Sequence, residues 1–169
     1  MEIVKLLQQE LEQESQITRK MLERVPADKF EWRPHPKSMT LQELATHLAE
    51  IPGWFPLTLT TTELDFATMP YQPTVLNDSE ALLAFFKQKL DGALAALENA
   101  SEKDLSDNWT MRNGETIFEQ NTKYEALRGC FGQIIHHRAQ LGVYLRLLDI
   151  PLPGTYGPSA DENQWNFGE

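Results

Sequence analysis

Cys130-Phe131-Gly132-Gln133-Ile134-Ile135-His136-His137-Arg138-Ala139-Gln140-Leu141 has the spacing of an amphipathic helix, and the architecture follows from what its two faces must meet. A helix advances about 100° per residue, so Cys130, Ile134, Leu141, Tyr144 and Leu148 all fall within roughly 60° of His137 on one apolar stripe. Gln133 lies one turn earlier, about 40° round the same face. His136 is turned about 100° away, toward Gly129 and Gln140, so the adjacent histidines have separate roles. A lone imidazole on a core face is more often a hydrogen-bonded structural residue than a ligand. A second inward imidazole changes that balance. His47, within Leu41–Ile51, lies about 60° from Leu44 and about 40° from Ile51, at the edge of another apolar face. Imidazoles from two facing helices are what a metal site in a bundle core requires.

Working outward, Thr122 with Glu125 has capping-box spacing and opens this helix, which continues to about Leu148 before Pro151 and Pro153 stop it. Just ahead, Asn108 to Phe118 places Asn113-Gly114 between short aromatic and β-branched runs, which predicts a two-stranded flap rather than a sheet. Asp78 or Ser79 caps an earlier helix carrying Leu82, Phe85, Phe86, Leu90, Leu94 and Leu97 and ending near Ala100. Gly92 inside it costs about 1 kcal/mol of helix propensity and marks a point where a neighbour could approach closely.

Residues 65–77, with Pro70 and Pro73, form a long connection across the molecule. The helix before it runs from Thr40, paired with Glu43 as a second capping box, to about Thr61, with a kink or break at Pro52 just below the His47 turn. Trp54, Phe55 and Leu59 continue its apolar character as core residues. The first helix spans about Glu2 to Arg24, with Val4, Leu7, Leu11, Ser15, Thr18 and Leu22 at spacings of three and four. Arg33-Pro34-His35-Pro36-Lys37 is a helix-free connection, with His35 in a loop. Tyr156 and Trp165 suggest that the irregular tail docks on the helices. The expected fold is all-α: a four-helix bundle with long crossover connections and a small β-hairpin before the last helix, forming one domain over residues 1–169.

The 169 residues contain 41% hydrophobic and 24% charged residues, ordinary values for a globular protein. A net charge of −10 and the lack of any basic run argue against nucleic acid or membrane surfaces as partners. No apolar run approaches a membrane span, and the amino-terminal residues have no signal-like core. The single cysteine, Cys130, excludes an internal disulfide framework and a cysteine-rich zinc site, so a reducing cytoplasm is the expected compartment. With no basic neighbour to activate it, Cys130 is expected to be a small core residue. No Ser-His-Asp arrangement is legible. Glu43, Glu50 and Glu125 suit capping or surface roles.

Two further blocks are informative together. One is Pro34-His35-Pro36-Lys37-Ser38-Met39-Thr40-Leu41 leading into Glu43-Leu44-Ala45-Thr46-His47-Leu48-Ala49-Glu50-Ile51. The other is Ile135-His136-His137-Arg138-Ala139-Gln140-Leu141, followed by Tyr144-Leu145-Arg146 and Tyr156-Gly157-Pro158-Ser159-Ala160-Asp161-Glu162. In order and separation the sequence resembles the DinB-like (damage-inducible) superfamily of metal-binding four-helix bundles.

The resemblance implies an often dimeric bundle that binds one divalent metal through three histidines, one on the second helix and two a turn apart on the fourth. His47 matches the first position and His137 the last. The remaining position is Gln133, a departure from the family's histidine. A neutral amide is a poorer ligand than imidazole for zinc or nickel, the metals expected here.

The superfamily includes transferases that use low-molecular-weight thiols. The resemblance therefore implies a metal-dependent thiol transferase or related detoxifying enzyme, acting on a small thiol and an electrophile between the second and fourth helices. A metal-dependent hydrolase is the nearby alternative. From another class comes a non-catalytic, dimeric bundle in which His47, Gln133 and His137 form a vestigial metal site.

Overall fold

A computed structural model describes residues 2–162, so Trp165 lies outside the described residues. Helix α1 (Ile3–Leu22) buries Val4, Leu7, Leu11, Ser15, Thr18 and Leu22, the stripe expected from their spacing. Its free amino end is satisfied from far along the chain, where the Glu102 carboxylate accepts the Val4 N–H at 2.8 Å.

The segment expected as one helix over residues 40–61 is divided. Helix α2 (Leu41–Glu50) is followed by a 3₁₀ turn at Ile51–Gly53 and then by α3 (Trp54–Thr60). Pro52 sits in the break, where it has no N–H to continue the helical ladder. Thr40 and Glu43 form the complete reciprocal capping box, which fixes where α2 starts and so which way its residues face. Helix α4 (Ser79–Asn99) is capped by Asp78, whose carboxylate accepts the Ala81 N–H at 2.7 Å. Helix α5 (Lys123–Leu147) opens on the Thr122–Glu125 capping box.

Helix α1 packs against α4 and α5, and α2 and α3 pack against the same pair. One core results, with Phe55 of α3 meeting Phe131 of α5 edge-on at 5.2 Å. Among the described residues, a Cβ at Gly92 of α4 would meet no neighbouring element within 4 Å, so the close approach expected there does not occur.

The all-α expectation needs correcting, because the chain carries a small three-stranded sheet in the order β1-β2-β3. Strands β2 (Asn108–Asn113) and β3 (Thr116–Thr122) form the expected hairpin. Strand β1 (Glu63–Asp65) adds to the outer edge of β2 in parallel. An unaccompanied β2 would leave its outer backbone groups unpaired. Here Thr110 N–H donates to Thr62, Phe66 N–H donates to Arg112, and the Arg112 guanidinium binds Glu63 at 2.8 Å. Asn113 pairs with Thr116, so the central turn residues are Gly114 and Glu115. Gly114 takes the positive φ of 58° that the first position of a II′ turn requires. The sheet is fastened to the helices where Trp109 Nε1 donates to Thr61 Oγ1 at 3.1 Å. Among the described residues no helix is long and apolar enough to cross a membrane.

Candidate functional site

Helices α2 and α5 bring His47, Gln133 and His137 to one place. The His47 and His137 rings lie 4.6 Å apart between centroids and edge-on, at 82°. Neither is fully enclosed; the His47 side chain keeps 21% of its exposure. The apolar stripe beside them is buried as expected at Cys130, Ile134 and Leu141. His136 is exposed, and its ring stands 4.9 Å from that of His137.

Each of the paired imidazoles is oriented by a partner at Nδ1. His47 Nδ1 lies 2.7 Å from Glu50 Oε1, one helical turn on and nearly buried. That oxygen also accepts the Tyr71 hydroxyl at 2.8 Å. Burial first, and then the Glu50 contact, raise the Tyr71 phenol above its ordinary range, which keeps it a neutral donor. His137 Nδ1 lies 3.1 Å from Gln140 Oε1, and its Nε2 lies 2.8 Å from Gln133 Oε1.

Burial, reinforced by the neighbouring His47 and His136 rings, holds His137 below the usual histidine range. A neutral imidazole carries one N–H and one lone pair, so only one of the two glutamines meets the ring through oxygen. The other turns its NH₂ to the ring lone pair.

The site opens into a cavity of about 250 Å³ between α2, α3, α5 and the sheet. Its walls are largely apolar: Trp54 and Ile51 on one side, Trp109 and Met111 of β2 on another, and Cys130 on α5. Glu119 is the one carboxylate among the lining residues. His47 also lines a second cavity, together with Gln42, Glu43 and Thr46 of α2. Cys130 is buried, and burial pushes its thiol up to about 12. It is thus a protonated wall residue and no nucleophile at neutral pH.

Residues 1–166 match the family model described as the DinB family. The chain belongs to the DinB family. Among solved structures it is similar to a DinB-like protein from Bacillus subtilis, YjoA, at 19% identity and a TM-score of 0.68, covering 87% of this chain and 96% of that one. A DinB-like protein from Bacillus cereus is similar at 21% identity and a TM-score of 0.66, covering 89% of this chain and 95% of that one. At these identities the likeness concerns the fold. No curated protein matches.

Several residues of this DinB family site were not assigned to it from sequence. Glu50 stands three residues after His47, a spacing that puts it on the same face and could have found it. Gln140 stands in the same relation to His137. Tyr71 had no local signal, because it arrives from the long connection between β1 and α4. Glu43 and Glu125 serve their capping boxes as expected. His35 is a loop residue whose Nδ1 accepts the Lys37 N–H at 3.1 Å.

Proposed function

We propose that this DinB family protein is a metal-dependent enzyme of the thiol-transferase or detoxifying type, with His47, His137 and Gln133 holding a divalent ion, zinc or nickel, between α2 and α5. The observation that carries the reading is the matched anchoring of the two rings. Each imidazole spends Nδ1 on a partner from its own helix, Glu50 for His47 and Gln140 for His137. Nε2 is thereby the nitrogen not used by the anchor, the usual arrangement of metal-binding histidines, and on His137 it meets the third proposed ligand, Gln133, at 2.8 Å. Two imidazole nitrogens and an amide oxygen suit a divalent ion, with coordination positions left for a small molecule. Among the described residues no group of three His, Cys, Asp or Glu is placed to hold a metal ion; the third position of this cluster is a glutamine.

When bound, such an ion would acidify a thiol and hold it as a thiolate. The chain's own residues supply the rest. Glu50, fixed by the Tyr71 hydroxyl, holds the His47 ring in place. Trp54, Trp109 and Met111 form an apolar wall that accommodates an electrophile and excludes water.

One observation favours a second reading, a helical protein with a vestigial site. The Gln133 amide already occupies His137 Nε2, so the ring's ligand position is satisfied internally. Protein purified without a histidine tag distinguishes the two readings. The metalloenzyme is expected to carry zinc or nickel by elemental analysis and to melt higher when equimolar metal is added. His137→Ala is expected to abolish both metal binding and conjugation of cellular thiols to a generic electrophile, with Cys130→Ser turning over normally. An unchanged melting temperature together with no bound metal would establish the vestigial reading instead.

A further inference from the structure

Seven arginines occur in the chain, and six of them engage carboxylates. Arg19 pairs with Glu23, Arg24 with Glu162, Arg112 with Glu63 and Asp65, Arg128 with Glu10, Arg138 with Glu14, and Arg146 with Asp161. In a chain of 25 acidic and 15 basic residues, such pairing is the expected fate of a guanidinium. Arg33 is the exception: among the described residues it meets no carboxylate.

Its position gives that exception a direction. Arg33 and Lys37 line the cavity of about 490 Å³ whose opposite wall, on α2, contains Thr46 and His47. Thr46 is buried, and among the described residues its hydroxyl has no hydrogen-bond partner. Glu43 is the one carboxylate among the lining residues, and it is committed to the capping box, accepting the Thr40 N–H at 2.7 Å. The loop carrying Arg33 is held firmly. Leu41 N–H donates to the Trp32 carbonyl at 2.8 Å, and the Trp32 ring meets Tyr144 of α5 edge-on at 5.6 Å.

We propose that Arg33, assisted by Lys37, anchors the anionic oxygen group of a small molecule lying in this cavity, with its other end directed to His47. The planar guanidinium suits a carboxylate or a phosphate through paired N–H donors, and the volume suits a ligand of small-molecule size. Naming this molecule as the substrate rests on the enzymatic reading above and refines it: one substrate is an acid. The anchoring itself needs no metal.

The test is titration of inorganic phosphate and, separately, of succinate into the full-length protein, metal-loaded and metal-free, followed by tryptophan fluorescence and calorimetry. Saturable binding of at least one anion is expected in both forms. Arg33→Gln is expected to weaken it by roughly tenfold or more, with Arg33→Lys in between. Arg33 is exposed, so the variants should retain the wild-type circular dichroism. Binding of phosphate alone or of succinate alone identifies the acid group. His137→Ala separates the two readings, since it should lose metal yet keep the anion. If neither anion binds, or if Arg33→Gln binds as well as wild type, the anchoring is overturned even when the protein holds metal.

Discussion

Replacing Gln133 by histidine would put a third imidazole beside the His47–His137 pair, since the Gln133 oxygen already lies 2.8 Å from His137 Nε2. Imidazole is the better donor to zinc and nickel. Gln133→His is therefore expected to tighten metal binding by on the order of tenfold or more and to enlarge the metal-induced rise in melting temperature. Competition with a chelator of known affinity measures the first effect, and equal affinities would show that the amide is no weak point. Cys130 gives a second expectation. Its thiol is buried and pushed up to about 12, so Ellman's reagent should fail to react with the native protein at pH 8 and react fully once the chain is unfolded. Rapid labelling of the native protein would contradict the burial.

Strand β1 depends on Asp65 more than on its own length. The Asp65 carboxylate accepts the N–H groups of Gly114 and Ala67, each at 2.9 Å, and Arg112 stands 3.4 Å away. These contacts, the Gly114 N–H first, hold it below its ordinary value of 3.8. A depressed carboxylate stabilises the fold fully above its unfolded value, and the contribution disappears as pH falls through the lower, folded value. Asp65→Asn should thus lower the melting temperature at pH 7, with a constant gap from wild type down to about pH 4 that narrows below it. A gap independent of pH would show that charge is irrelevant here.

The same strand shows where sequence patterning stops. Helices α1, α4 and α5 are long enough for apolar spacing to reveal the buried face, and the threonine caps mark where α2 and α5 begin. Glu63-Leu64-Asp65 is too short to show alternation, and its partner strand lies more than forty residues on, so nothing local announces it. The site divides in the same way. That His47, Gln133 and His137 converge is legible from helix faces and resemblance. Tyr71 and the Trp109–Met111 wall depend on the sheet and on the long connection, whose paths only tertiary packing decides.

At the scale of the molecule, a buried polar cluster gathers around Arg138, about 100° round α5 from His137. Arg138 is 2% exposed. It holds Glu14 of α1 at 2.6 Å, donates to Thr18 at 3.1 Å, and lies against Tyr156 of the tail. The Tyr156 hydroxyl in turn donates to Glu14 at 2.8 Å. This contact docks the tail on the helices as far as the described residues extend. Arg138→Ala strands the Glu14 carboxylate without its counter-charge and should cost about 3–5 kcal/mol in urea unfolding. Tyr156→Phe should cost about 1 kcal/mol. A loss below about 1 kcal/mol for Arg138→Ala would mean that water reaches Glu14 freely.

The separation of these partners along the chain also bears on biosynthesis. Glu14 leaves the ribosome with its guanidinium 124 residues behind it and its phenol 142 behind. Early docking of the first helix would bury an acid that nothing yet neutralises. The native pairing of Glu14 therefore forms only after translation has passed Arg138, and its last hydrogen bond only after Tyr156.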